Sequence, residues 1–346
     1  MPKTFVVGDI HGCYDELIDL IKKMGVDADD TLVSVGDIVD RGNKSKEVYE
    51  YFINRPNSKV IVGNHERKHI NGVLSYAQEI VKVQFGQDYQ TFLNWLNTLG
   101  YSYETKEAII VHAAFEHDKS LSDQKDEVLS GSTSGERYLE KKYEVNTYWT
   151  DYYKGEKPII YGHHVVGEFP IIKNNTYGID TGACHGGVLT AIELPGFIMH
   201  QVKSKEDYWK NEQKIWQVAV LKSKDWHNME FATIWKQLEK LSFVEDTDAR
   251  AFLNKLENWI MALENLLTVV KDKLDLFTTD LMSKHQGEFS IEAGKFDFKT
   301  FLFKSKSNNL KVEDLKKSLN TPQKIIEIAS KLNLDQKASE GLQEII

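Results

Sequence analysis

The run Thr31-Leu32-Val33-Ser34-Val35, followed at once by Gly36-Asp37-Ile38-Val39-Asp40-Arg41-Gly42, decides the fold. A short β-prone, mostly apolar run stops at a glycine and opens into a turn carrying two acids and an arginine, as a buried strand does when it ends in a functional loop. The same grammar recurs on both sides. Residues 4–7 lead into Gly8-Asp9-Ile10-His11-Gly12, 59–62 into Gly63-Asn64-His65-Glu66, 108–111 into His112-Ala113-Ala114, and 158–161 into Gly162-His163-His164. Stretches with helical spacing separate the first three runs, for example Leu17, Ile18, Ile21 and Met24. Strand–helix–strand order predicts parallel βαβ units in an α/β fold, with ligands bound beyond the carboxyl ends of the strands.

Each of those ends delivers an Asp, Asn or His. Carboxylate, imidazole and amide oxygen together are the donors that hold hard or borderline divalent metals such as Mn, Fe or Zn. The glycines let the chain turn sharply and leave room for a substrate. Taken singly, each motif also reads as a capped turn, and a lone histidine is more often a hydrogen-bonded core residue than a ligand. Three motifs in this order, with two further histidines at strand ends, are not what packing alone produces.

The set resembles the signature of the calcineurin-like metallophosphoesterases, in particular the phosphoprotein phosphatase branch with its Asp-x-His, Asp-x-x-Asp-Arg and Asn-His-Glu elements. The resemblance covers about residues 4–200, and Gly178-Ile179-Asp180-Thr181-Gly182 and Gly186-Gly187-Val188-Leu189-Thr190-Ala191 resemble the closing strands of small bacterial and phage members. It implies a two-sheet αββα sandwich holding two divalent metals, with Mn favoured and Fe, Zn, Ni or Co as alternatives. Two such metals neutralise the anionic ester and supply a nucleophile near neutral pH. Carried over, Asp9 and His11 hold the first metal, Asn64, His112 and His163 the second, and Asp37 bridges them. His65 becomes the general acid for the leaving oxygen, Asp40 its orienting carboxylate, and Arg41 a guanidinium fork for phosphate oxygens. His164 is left structural, since along a continued strand it points away from its neighbour. His185, Cys13 and Cys184 lie near glycine-rich turns, the cysteines reading as small buried residues. His69 and His117 carry no pattern and read as solvated.

Two departures bear on substrate. Val62 stands where eukaryotic Ser/Thr phosphatases have an arginine before Gly-Asn-His-Glu, and Ala113-Ala114 stand where that branch has glycines. The missing clamp arginine moves the resemblance toward bacterial diadenosine-tetraphosphatase-like enzymes and the phosphatase modules of RNA-repair proteins. Arg67, Arg137 and Lys173 are the candidate replacements. The leading expectation is a phosphomonoesterase of the Ser/Thr protein phosphatase-like type. The alternatives are a dinucleoside polyphosphate hydrolase, an RNA 3′-phosphatase or 2′,3′-cyclic phosphodiesterase, and, in a different class, a non-catalytic scaffold. The last is disfavoured because no proposed ligand is missing.

Composition divides the 346 residues. Of the net charge of −9, all the excess acid falls within residues 1–200, and residues 201–346 are neutral. Of 22 Gly and 6 Pro, only Gly287, Gly294, Gly341 and Pro322 lie beyond Gly196, so a strand-and-loop domain gives way to helices. The expected domains are 1–206, catalytic with insertions at about 67–107 and 115–157, and 207–346, a mainly helical accessory domain. The insertions read as specificity lids, the aromatics Phe85, Tyr89, Phe92 and Trp95 as core of the first, and 129–136 as a flexible loop. In the tail, Phe252, Leu256, Ile260, Leu263, Leu267, Val270 and Leu274 form a heptad-like seam on a helix starting near Thr247, suited to a bundle or to a dimerising coiled coil. Thr321-Pro322 starts another helix. The five tail tryptophans read mostly as core, and the Lys/Phe alternation of 295–306 as a strand, with single-stranded nucleic acid as a second reading. No run of about 18 apolar residues spans a membrane, the start lacks a signal-peptide stretch, and two cysteines suit the cytoplasm. The implied partner is a phosphorylated substrate, whether protein, nucleotide or RNA end, with oligomerisation left open.

Overall fold

Side chains alternate along a strand, and β1 (Thr4–Val7) shows what that alternation builds. Phe5 and Val7 pack with Leu17, Leu20, Val48 and Phe52 of helices on one side, while Val6 packs with Ile110 and Ile160 of a second sheet on the other. The computed structural model describes residues 2–242, 244 and 246–334.

In the first sheet, β2 (Thr31–Ser34) and β3 (Ser58–Val60) run parallel to β1. The antiparallel strands β9 (Val188–Leu194) and β10 (Ile198–Lys203) complete it in the order β10-β9-β1-β2-β3. The second sheet contains β4 (Ser102–Glu104), β5 (Ile109–Val111), β6 (Ile159–Tyr161), β7 (Ile171–Lys173) and β8 (Thr176–Gly178), ordered β4-β5-β6-β8-β7. There β5, β6 and β8 are mutually parallel. Even-numbered Ile110 and Ile160 face the first sheet. Ile109, Val111, Ile159 and Tyr161 face Val128, Leu139 and Trp149 of the outer helices. The result is the αββα sandwich, with three apolar interfaces between four layers.

Both insertions contribute to the structural layers of the sandwich. In the first, the helices Tyr76–Phe85 and Tyr89–Leu96 pack Phe85, Phe92 and Trp95 around Tyr49 of the helix Ser45–Asn54, so these rings join the main core. Residues 129–136 are not a flexible loop. Ser132 caps the helix Thr133–Lys142 by accepting from the Gly135 N–H at 3.2 Å, so the Ser/Gly-rich composition marks a helix start.

One compact unit ends at Trp216 and a second begins at Gln217, ten residues beyond the boundary expected at residue 206. The helix Tyr208–Ile215 stays with the first unit because Tyr208 donates to buried Glu16 at 2.8 Å and Tyr76 donates to the Gln213 carbonyl at 2.7 Å.

In the second unit the helix Thr247–Lys284 is capped by Asp246, which accepts from the Ala249 N–H at 2.8 Å. All seven seam residues are buried among helices of the same unit, so the seam is a bundle core. Thr321 caps the helix Pro322–Lys331. The expected strand at 295–306 is instead a turn followed by the helix Lys299–Lys306. Phe298, Phe301, Leu302 and Ser305 are buried at helical spacing, and Phe303 is exposed. Three of the four lysines of 295–306 are engaged: Lys295 pairs with Glu292, Lys304 with Asp314, and Lys306 lies over the Phe289 ring. Of the tail tryptophans only Trp226 and Trp259 are fully buried. Trp216 and Trp235 are half-buried, donating to Glu212 and Glu264. Among the described residues no helix is long and apolar enough to cross a membrane.

Candidate metal centre

The loops after β1, β2 and β3 are fastened to one another before any side chain meets a ligand. His11 N–H donates to the Asp37 carbonyl at 2.8 Å and Gly12 N–H to that of Ile38 at 2.9 Å. Buried Glu66 then joins the second and third loops, accepting from Asp37 N–H (2.8 Å), Ile38 N–H (2.9 Å) and Gly63 N–H (3.0 Å). The second sheet is tied in where the His163 N–H donates to Asp9 at 3.1 Å. Glycine is required against the cluster itself: a Cβ on Gly63 would strike Asp37 and His112, and one on Gly162 would strike Asp9.

This fastening gathers Asp9, His11, Asp37, Asn64, His112 and His163 into one cluster. His112 Nδ1 lies 3.0 Å from the Val35 carbonyl, which can only accept, so its proton sits on Nδ1 and Nε2 is a bare lone pair. That lone pair faces Asn64 Oδ1 at 3.0 Å and Asp37 Oδ1 at 3.5 Å. His11 repeats the arrangement, with Nδ1 2.9 Å from the Val39 carbonyl and Nε2 3.5 Å from Asp37 Oδ2. Acceptors confront acceptors across buried space, an arrangement that a cation relieves, and Asp37 faces both groups. His11, Asp37 and His65 form one potential metal-holding group and Asp9, Asp37 and His112 another.

The electrostatics follow from this crowding. Burial, then the nearby Asp180 and Asp37, push the Asp9 carboxyl well above the usual range. Burial works against ionised Asp37 too, yet the imidazoles of His112, His65 and His11 hold it below the ordinary carboxylate range. Burial pulls His112 down to about 4, which keeps it a neutral donor.

His65 stands beside this cluster. Its Nδ1 is 2.6 Å from Asp40 Oδ2, and its Nε2 is buried without a hydrogen-bond partner. Asp40 is held in turn by His69 Nε2 at 3.0 Å and by the Gln78 side-chain amide, and His69 Nδ1 meets the Tyr89 hydroxyl at 2.8 Å. His69 is therefore buried, not solvated as its lack of pattern suggested, because the first insertion closes over it. Arg41 reaches the cluster through Nη1, 3.3 Å from His11 Nε2.

His164 is exposed, with its ring beside those of His163 and Tyr148. His117 is exposed and contacts Tyr143. His185 is exposed and lines a cavity of about 220 Å³ with Thr181, Gly182 and Lys203. Cys13 and Cys184 are buried free thiols, and burial pushes Cys184 up to about 12. Of the replacement cations, Arg67 is paired with Glu127 and Lys173 with Asp151, while Arg137 is exposed. Val62 is buried, so that position holds no charge at the surface of the site.

Two neighbours of the cluster carried no assigned role. Asp180 follows β8 as Asp9 follows β1; it is buried, and burial together with Asp37 pushes it up to about 6 despite the Gly182 N–H it accepts. The strand-end rule applied to Thr176-Tyr177-Gly178-Ile179-Asp180 finds it. Glu136, 3.3 Å from His163 Nε2, has no comparable signal in the sequence.

Backbone strain also concentrates here. Among the described residues twelve non-glycines have positive φ: six are Asn, one is Phe197, and the other five are His11, Asp37, Asp40, Arg41 and His163. Such conformations cost roughly 1–3 kcal/mol each and cluster where function requires them.

The calcineurin-like phosphoesterase model matches residues 2–249. The chain is similar to the bis(5′-nucleosyl)-tetraphosphatase PrpE (asymmetrical) of Bacillus mycoides strain KBAB4, with 32% identity over 230 residues, 56% of this chain and 91% of the relative. The protein of the same name from Anoxybacillus flavithermus strain WK1 is 32% identical over 234 residues, 59% of this chain and 95% of the relative. A crystal structure provisionally titled a diadenosine tetraphosphatase aligns with a TM-score of 0.49 at 21% identity, covering 59% of this chain and 96% of that one.

Proposed function

This chain belongs to the calcineurin-like phosphoesterase family and is a metal-dependent phosphoric ester hydrolase; from that premise we propose that it cleaves dinucleoside polyphosphates asymmetrically. The observation that carries the proposal is the name shared by the relatives at 32% identity, asymmetrical bis(5′-nucleosyl)-tetraphosphatase. It reverses the order of the sequence-based expectation, in which a protein phosphatase-like monoesterase came first. Buried Val62, in place of a clamp arginine, agrees with the reversal.

In this reading Asp9, His11 and Asp37 would hold one divalent metal, and Asp37, Asn64, His112 and His163 would hold another. The donor set suits Mn. The paired acceptors around Asp37 and the two histidine lone pairs support the assignment. When bound, such metals neutralise phosphoryl oxygens and lower the pKa of a water. The protein's own groups do the rest. Arg41 offers a planar fork to the phosphate oxygens. His65 donates Nδ1–H to Asp40, and in its doubly protonated imidazolium form carries on Nε2, which has no other partner, the proton delivered to the departing phosphate oxygen. His69 and Gln78 hold Asp40 still while this happens. Two buried free thiols agree with a reducing compartment, and the proposed setting is the cytoplasm.

The test is a Mn²⁺-supplemented panel of a dinucleoside tetraphosphate, a phosphopeptide, an aryl phosphate, a 2′,3′-cyclic nucleotide and an RNA 3′-phosphate. The expected result is highest kcat/KM on the dinucleoside tetraphosphate, with water addition giving one nucleoside triphosphate and one nucleoside monophosphate. A tenfold preference for the phosphopeptide would return the monoesterase reading to first place.

A further inference from the structure

His163 differs from the other two histidines of the cluster in what holds its outer nitrogen. His11 and His112 each rest Nδ1 on a main-chain carbonyl and turn Nε2 inward. His163 is reversed: Nδ1 lies 3.0 Å from Asn64 Oδ1, so Nδ1 is the inward atom, and no carbonyl backs the outward Nε2. What lies there is Glu136 Oε1, at 3.3 Å.

That oxygen comes from the helix Thr133–Lys142 of the second insertion. It is buried, and it has no aligned hydrogen-bond partner elsewhere. The same insertion packs against the ring itself: at Gly131, where φ is +63°, a Cβ would lie 2.7 Å from His163 Cε1 and 2.8 Å from Nε2. Close packing of one segment on the ring, with a carboxylate at its outer nitrogen, is the means by which a histidine ligand is fixed in one tautomer. An ionised carboxylate only accepts, so it requires the proton on Nε2 and leaves the Nδ1 lone pair facing Asn64 and His112.

We propose that Glu136 is the positioning residue for His163, holding its Nε2–H and so presenting Nδ1 to the divalent metal shared with Asn64 and His112. This rests on the reading of His163 as a ligand. The second insertion, in addition to covering the outer face of its sheet, thereby sets the affinity of one of the two metal sites.

The experiment uses the full chain stripped of metal. Ring ¹⁵N spectra of wild type should show His163 with its proton on Nε2, and E136A should shift the population toward Nδ1–H. Stepwise Mn²⁺ binding, followed by calorimetry, should then show H163N losing one step. E136A should weaken that same step by roughly 10–100-fold, leave the other within about twofold, and cause no further loss in the H163N background. E136Q keeps an amide oxygen at the position and should recover most of the affinity. An unchanged tautomer and unchanged binding in E136A would overturn the proposal, as would an equal loss in both steps that persists in H163N. If H163N itself keeps both steps, the ligand reading fails and the proposal fails with it, a result distinct from a silent E136A.

Discussion

An imidazole has two nitrogens, and in this site whatever fixes one decides what the other can do. In the proposed mechanism Asp40 accepts His65 Nδ1–H, so only the imidazolium form carries a transferable proton on Nε2. His65→Asn should therefore slow esters with poor leaving groups by about 10²–10⁴-fold while slowing activated aryl esters much less. Equal losses across a series of leaving-group pKa values would contradict the general-acid role. The positions of the motif residues were legible because each follows a β-prone run, and Asp180 was legible by the same rule. His69, Gln78 and Glu136 were not. They reach Asp40 and His163 only when separate insertions close over the sheets, and no local pattern encodes a partner 29 or 38 residues away.

Elements were legible where one period dominates. The seam from Phe252 to Leu274 has helical spacing and no glycine or proline, and it forms one helix. Residues 295–306 satisfy both a period of two, through alternating Lys and Phe, and a period near 3.6, through Phe298, Phe301, Leu302 and Ser305. Packing against the long helix selects the second. Glu66 governs the coupling between the loops after β2 and β3. Burial, then Asp37, push its carboxyl up to about 8, from an ordinary value near 4.5, against the three N–H groups it accepts. Between about pH 6.5 and 8 the folded metal-free protein keeps a proton there that the unfolded chain has released, so the folded state binds more protons and stability falls as pH rises. The expected loss is about 2 kcal/mol across that window. Urea midpoints at successive pH values measure it, and Glu66→Gln should flatten the slope; a midpoint rising with pH in wild type would contradict the assignment.

At the scale of the whole molecule, the loss of glycine and proline after Gly196 located the change of architecture to within about twenty residues of the boundary at Trp216. Composition could not place it more closely. The helix Tyr208–Ile215 looks like tail by composition, but hydrogen bonds through Tyr208 and Gln213 hold it to the first unit. A chain ending after residue 206 loses the Tyr208 hydroxyl from buried Glu16. It should unfold in urea about 1–3 kcal/mol more easily than one ending at Trp216, and coincident curves would show that the helix contributes nothing. The excess acid of residues 1–200 has a partial structural cause in Asp9, Asp37, Asp40, Glu66 and Asp180, which are buried together around the centre.

Two kinds of selection would read the left-handed backbone at His11, Asp37, Asp40, Arg41 and His163 in opposite ways. A variant library sorted only for folded protein should tolerate glycine or asparagine at these positions, each change setting about 1 kcal/mol of relieved backbone strain against the hydrogen bonds it removes. The same library sorted for turnover should retain the residues present. The divergence between the two pools would outline the centre residue by residue without a substrate being identified.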